Sequence, residues 1–327
     1  MGARALTPAR ERARRRGCLA ILAAGLLLAP GRTDAQSERT PVILDTDIGT
    51  DIDDAWALGF VASFDGFEPL GVTVTDGDTA SRGRLACKLL ARTKHAGLPV
   101  AVGRATPVPP DRVDRQFQWA EDYVATRPVA TPAADFIAAT VRARPGEVVL
   151  IAVGPLQNVA DALRREPRLP KLLRRLVLMS GCVYGMAGVD HPIAEWNVKQ
   201  AIADAQLVYG AGFPLTIAPL DATTLVRLDE SERDRVRASR LPLAIALESL
   251  YRLWLDGPTS RMTLHDQLAV AEAAKPGAYF AEMPTLSIRV DDEGYTRIDP
   301  SGRPVSVCLK PRRDLLVGDY LDTLLRR

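Results

Sequence analysis

Cysteine, histidine and aromatic residues are scarce in this chain of 327 residues, and each shortage removes a class of explanation. Of four cysteines, Cys87, Cys182 and Cys308 lie beyond the first 35 residues. They are widely spaced and odd in number, so neither a disulfide framework nor a zinc site is indicated. Histidine occurs three times. His95 falls at an expected helix end before Gly97, and His191 stands beside Pro192 in a loop, both ordinary places for a solvated ring. The apolar run from Cys18 to Pro30 is too short to span a bilayer comfortably. Internal repeats and low-complexity tracts are absent.

Basic charge is also missing where a nucleic-acid surface would need it. Residues 1–35 hold seven arginines against Glu11 and Asp34, and setting them aside moves the formal net charge from +2 to −3. Nothing in the remaining chain calls for a nucleic-acid partner. The order within 1–35 is basic, then apolar from Cys18 to Pro30, then Thr33-Asp34-Ala35 before Gln36. That is the order of a secretory signal peptide. The expectation is a leader over residues 1–35 and a mature domain over 36–327, exported to the periplasm or beyond the cell, with no membrane attachment once the leader is gone. Arg15-Arg16 invites a twin-arginine route, but the flanks match poorly. Cys18 precedes the apolar run, whereas a lipoprotein cysteine would follow it.

What the chain does have is acid, crowded into one place. In Val42-Ile43-Leu44-Asp45-Thr46-Asp47-Ile48-Gly49-Thr50-Asp51-Ile52-Asp53-Asp54-Ala55-Trp56, an apolar run breaks into five aspartates within ten residues. Carboxylates held a few ångströms apart raise one another's pKa and resist burial unless a cation or shared protons neutralise them. An all-oxygen donor set without nearby Cys or His favours a hard cation, Ca²⁺ or Mg²⁺, over zinc. Turn and helix-cap aspartates are the alternative, adequate for one or two of the five. Val42 to Leu44 reads as a buried strand, and Asp53-Asp54 as the start of a helix, so the acids sit at a strand's carboxyl end, where open α/β sheets bind ligands.

The rest alternates in the same way. Glu68 to Thr75, Pro99 to Gly103, Val148 to Val153, Leu176 to Gly181 and Leu215 to Asp221 read as further strands. Helices are expected over Ala55 to Ser63, after Asp78 to about His95, over Thr131 to Arg144, in the charged region up to Leu255, and from Asp314 to the end. This is an α/β fold with a mostly parallel central sheet and helices on both faces, closed by a small C-terminal antiparallel hairpin within Leu286 to Lys310. Arg104 to Pro128 breaks the rhythm. Its Phe117, Trp119 and Tyr123 suit either stacking on a ligand or packing the loop onto the body. Tyr251 and Trp254 suit core or pocket equally.

The aspartate stretch resembles the Asp-x-Asp-x-Gly-x-Asp-Asp-Ala signature of the inosine-uridine preferring nucleoside hydrolases. Asp45, Asp47, Gly49, Asp53 and Asp54 match it, with two extra residues before the Asp pair and Ile48 in place of the usual Pro. Later segments resemble the family in order: Gly77-Asp78 where it tends to have Gly-Asn, Gly154-Pro155-Leu156-Gln157-Asn158, Ala194-Glu195-Trp196-Asn197, and Leu264-His265-Asp266. The resemblance implies a calcium-dependent hydrolase of the N-glycosidic bond of ribonucleosides, with a nucleoside-hydrolase-like, Rossmann-like fold. By that likeness Asp47, Asp54, the Val153 carbonyl and Asp266 hold Ca²⁺. Asp53, Asp78, Glu195, Trp196 and Asn197 meet the substrate, Asp78 being equally well a helix cap. Asp47 takes a proton from water, and His265 protonates the departing base. The amide of Asn197, assigned to the ribose, would then leave the ion untouched. A homodimer or homotetramer is compatible with the chain.

Two other classes fit parts of the pattern. Asp45-Thr46-Asp47 after a strand is similar to the haloacid-dehalogenase-like, Mg²⁺-dependent phosphatases, whose second acidic pair normally comes late in the chain and not within a few residues. A non-catalytic exported protein that binds a nucleoside or sugar would bind without turnover.

Overall fold

The computed structural model describes residues 39–110, 112–255 and 261–326. The expected leader over 1–35 lies outside the described residues. Eleven strands occur in chain order among them: β1 (Thr40–Thr46), β2 (Phe67–Val74), β3 (Val100–Val102), β4 (Val149–Ala152), β5 (Arg175–Met179), β6 (Leu215–Ala218), β7 (Phe280–Glu282), β8 (Thr285–Val290), β9 (Thr296–Ile298), β10 (Arg303–Val307) and β11 (Leu309–Pro311). Nine of them form one sheet in the order β3-β2-β1-β4-β5-β6-β10-β8-β9, and β7 and β11 form a separate antiparallel pair.

The apolar runs are continuous because both faces of the sheet are covered. Val42 and Leu44 of β1, with Val149 and Ile151 of β4, join one buried cluster, and Ile43, Leu150 and Ala152 join the other. Helices Asp53–Ser63, Pro242–Trp254, His265–Ala274 and Arg313–Leu324 pack in the first cluster, and helices Ala133–Ala143, Gln157–Arg165 and Ile202–Gly210 in the second. Period-2 side-chain alternation thus assigns successive residues of one strand to opposite cores.

From β3 to β6 every pairing is parallel, and β1 lies between β2 on one side and β4 on the other. The chain therefore leaves β1 in one direction and returns to β4 in the other. The crevice beyond the carboxyl ends of these two strands is the topological switch point, and the aspartate stretch emerges there.

The C-terminal hairpin forms between β8 and β9 around Asp291, but it does not stand apart. β10 lies parallel to β6 and antiparallel to β8, so the hairpin extends the main sheet. Strand β6 stops at Ala218, and Asp221 sits in the short helix Leu220–Thr223 that follows. No helix among the described residues is long and apolar enough to cross a membrane.

Candidate active site

Two helix N-termini meet over the switch point. Asp53 and Asp54 open helix Asp53–Ser63, and Asp266 lies in the first turn of helix His265–Ala274. The positive ends of the two helix dipoles favour carboxylates there. Although more than 200 residues separate them in the chain, their carboxylate oxygens lie within 4.8 Å of one another, and all three residues are buried. The backbone N–H of Asp266 donates to Asp53 Oδ2 (3.2 Å), Gln267 Nε2 donates to the Asp53 carbonyl (2.8 Å), and the Thr46 hydroxyl donates to Asp54 Oδ1. Burial, then repulsion from neighbouring carboxylates, pushes all three acids well above the usual carboxylate range. Such a set of hard oxygen donors fits a divalent cation.

The trio differs from the expected ligand set. It includes Asp54 and Asp266, adds Asp53, which the resemblance gave to the ribose, and does not include Asp47. The carboxylate of Asp47 rests instead over Gly154, where a Cβ would lie 2.8 Å from Asp47 Oδ1 and 2.9 Å from Asp47 N. Burial, outweighing the attraction of Arg82, raises Asp47 to about 6. Asp47, the trio and Val153 nevertheless line one cavity of about 620 Å³, together with Asp51, Glu195, Trp196, Asn197 and His265.

Glu195 caps helix Trp196–Lys199. It accepts from the N–H groups of Asn197 (2.8 Å), Val198 (3.3 Å) and Gly181 (3.0 Å), and burial raises it to about 7 despite them. Trp196, half exposed, stands at the cavity wall. Asn197 Nδ2 donates to the carbonyls of Val153 (2.8 Å) and Met179 (3.1 Å), so the side chain assigned to the ribose also holds the carbonyl assigned to the ion. His265 Nδ1 hydrogen-bonds the Thr223 hydroxyl at 2.8 Å. Burial, with the Arg227 charge second, pushes the ring down to about 4.

Asp78 is not in the cavity lining. It is exposed, and its carboxylate accepts from the N–H (3.0 Å) and hydroxyl (2.6 Å) of Ser81, which makes it the cap of helix Thr79–Leu90. Asp45 also faces away, accepting from Thr73 and from Asn158 Nδ2 (2.7 Å), where it ties β1 to its neighbours. Phe117, Trp119 and Tyr123 pack the loop onto the body and do not line the cavity, and Tyr251 is core. Trp254 hydrogen-bonds Asp51.

Sequence reading passed over several supports. Arg82 is wholly buried on the same helical stripe as Leu85, Ala86 and Leu89, a placement that was itself a signal. Its guanidinium donates to the carbonyls of Asp47, Ile48 (2.9 Å) and Asp76 (2.7 Å) and to the Thr50 hydroxyl (3.0 Å), fixing the aspartate loop from behind. Gly49, at φ +119° and with a would-be Cβ 2.3 Å from Phe117 Cε1, turns the loop where no side chain fits. The opposite wall, with Met186, Ile193 and Ala194, hangs from Asp221, whose carboxylate accepts from the N–H groups of Val183 (2.8 Å), Tyr184 (2.6 Å) and Gly185 (3.3 Å).

Comparison with known proteins gives the family and the fold. The family model described as inosine-uridine preferring nucleoside hydrolase matches residues 42–315. The pyrimidine-specific ribonucleoside hydrolase RihA of Shewanella woodyi is 29% identical over 283 residues, which cover 80% of this chain and 89% of that protein. The probable uridine nucleosidase 1 of Oryza sativa subsp. japonica is 28% identical over 280 residues, covering 80% and 84%. Among solved structures, the plant nucleoside hydrolase PpNRh1 superposes with a TM-score of 0.77 at 20% identity, covering 88% of this chain and 99% of the other. The inosine-uridine preferring nucleoside hydrolase of Bacillus anthracis gives 0.73 at 22%, with coverage of 88% and 99%. These structural likenesses speak for the fold.

Proposed function

The chain belongs to the inosine-uridine preferring nucleoside hydrolase family, and on that footing we propose that it is an exported, calcium-dependent ribonucleoside N-ribohydrolase. It is a hydrolase of N-glycosyl bonds, and its substrate is a small nucleoside. The names of its relatives favour a pyrimidine nucleoside such as uridine. The observation that carries the reading is the meeting of Asp53, Asp54 and Asp266 in the cavity that Glu195 and Asn197 also line.

We assign Asp53, Asp54 and Asp266 to Ca²⁺, with Asp47 and the Val153 carbonyl supplying further oxygens from the same cavity. When bound, the cation neutralises the acidic floor and makes water more acidic. Asp47 accepts a proton from the water that attacks the anomeric carbon, a role open to a carboxylate that lines the same cavity. The floor's negative charge supports the positive charge that gathers on the sugar, as in glycoside hydrolysis generally. Glu195 and the Asn197 carbonyl oxygen accept from ribose hydroxyls, while Asn197 Nδ2 is spent on the backbone. Trp196 covers an apolar face of the substrate. With Nδ1 of His265 engaged by Thr223, Nε2 is the nitrogen left to meet the departing base.

The test is a reducing-sugar assay across a nucleoside panel. Release of ribose from uridine or inosine, lost with chelator and restored by Ca²⁺ above other cations, is the expected result. Phosphate release from a phosphomonoester without ribose release, or binding without turnover, would overturn it.

A further inference from the structure

The cavity has two unlike halves. Its floor is acidic, whereas its wall also carries Lys199 and Arg227, both exposed. The main chain of Arg227 is pinned on either side. The Leu228 N–H donates to the Met262 carbonyl (3.0 Å), the Leu264 N–H donates to the Val226 carbonyl (2.9 Å), and Arg227 bridges to Thr263. Its own carbonyl accepts from Arg313 at 2.7 Å. The side chain is thus presented from a fixed base beside Thr263 and His265, and its charge reaches His265. Nearby Arg233, Arg235 and Arg313 are each paired with a carboxylate. Among the described residues no acid pairs with the Arg227 guanidinium, and the residue lines the cavity.

Resting on the hydrolase reading, we propose that Arg227 binds the departing base and selects bases with a keto oxygen on the edge far from the sugar over those with an amino group there. With the ribose on the acidic floor, the base projects away from it, and its 4-position in a pyrimidine or 6-position in a purine is the part farthest from the glycosidic bond. Arginine offers donors and no acceptor. A keto oxygen completes the pair, and an exocyclic amino group sets donor against donor. The contact also strengthens during reaction. As the C1′–N bond breaks, its electron pair enters the base and charge collects on the keto oxygen, close to the guanidinium. The attacking water's oxygen bonds C1′, its proton passes to Asp47, and a proton returns to the base after it leaves, so one water is consumed per bond.

The experiment compares kcat/KM for uridine with cytidine, and for inosine with adenosine, in the wild type, Arg227→Met and Arg227→Lys, all with Ca²⁺ present. Arg227→Met is expected to lose roughly ten- to a hundredfold on uridine and inosine, the scale of a charged hydrogen bond, and much less on cytidine and adenosine. The wild-type preference for keto bases then collapses, and Arg227→Lys recovers part of it. An equal loss on all four substrates, or an unchanged preference, overturns the role of Arg227 while leaving the hydrolase reading intact. A wild type that releases no base from any of the four overturns the hydrolase reading itself, and this inference with it. Because Arg227 is exposed, both variants should melt with the wild type, which separates loss of contact from loss of fold.

Discussion

On the proposed assignment Asn197 touches both the ribose and, through the Val153 carbonyl, the ion, where the sequence suggested the ribose alone. Its amide nitrogen holds the Val153 and Met179 carbonyls, so Asn197→Ala strands two buried acceptors at a cost of about 1 to 3 kcal/mol each. The variant is expected to bind Ca²⁺ more weakly, as well as to lose about tenfold or more in kcat/KM. Calorimetric titration showing wild-type calcium affinity would separate the two roles after all. Asp54→Asn gives a second test. Burial and like charge destabilise the acid cluster without a cation, so the variant should melt no lower than wild type in chelator. In calcium only the wild type should gain, by the mass action of a ligand that binds the native state. A calcium-dependent gain in melting temperature as large as the wild type's would remove Asp54 from the site. The acids were legible because crowded carboxylates demand an explanation wherever they occur. The assignments within the cluster were not legible, because Asp45, Asp47 and Asp53 differ only in where the loop points them, and Arg82 and Gly154 decide that from segments far along the chain.

At the scale of elements, the parallel core could be read from its continuous apolar runs, since a strand buried on both faces leaves that trace. The edge could not. The terminal strands β8 to β10 alternate like any solvent-facing hairpin, and the Val307↔Ile217 and Ser306↔Thr216 pairings join them to the sheet. The short helix Trp196–Lys199 is capped by the Glu195 side chain, and a single turn carries no period to detect. The packing of β4 against β1 yields a prediction of its own. Gly154 follows β4 where Asp47 leaves β1, and a methyl group there meets Asp47 Oδ1 and backbone N below 3.0 Å. Gly154→Ala should displace the carboxylate and reduce kcat by roughly a hundredfold, the scale of a misplaced catalytic group, with KM changing far less. A kcat within a few-fold of wild type would show that the loop yields without moving Asp47.

For the whole molecule, the buried acids tie stability to pH, and those that line the cavity, Asp47 and Glu195 but not Asp45, tie it to the cation as well. Asp45 and Glu195 are raised to about 7 and Asp47 to about 6, in each case mainly by burial. In the unfolded chain such groups titrate near 4. Between those values the folded protein without cation keeps protons that the unfolded chain has lost, so unfolding releases them. The stability contributed by these groups is fully present below about pH 4 and is lost as pH rises through about 6 to 7. With Ca²⁺ bound the floor is ionised and neutralised at once, and protons no longer compensate the charge. The melting temperature in chelator should therefore fall by roughly 5 °C or more between pH 5 and pH 8, a shift that one or two kcal/mol produces in a domain of this size. In calcium the fall should be much smaller, so the stabilisation by Ca²⁺ grows with pH. Calorimetric scans of the protein across that range, with and without chelator, check it. A melting temperature that climbs with pH in chelator would mean that other ionisations dominate and that the buried acids are neutralised from within the fold.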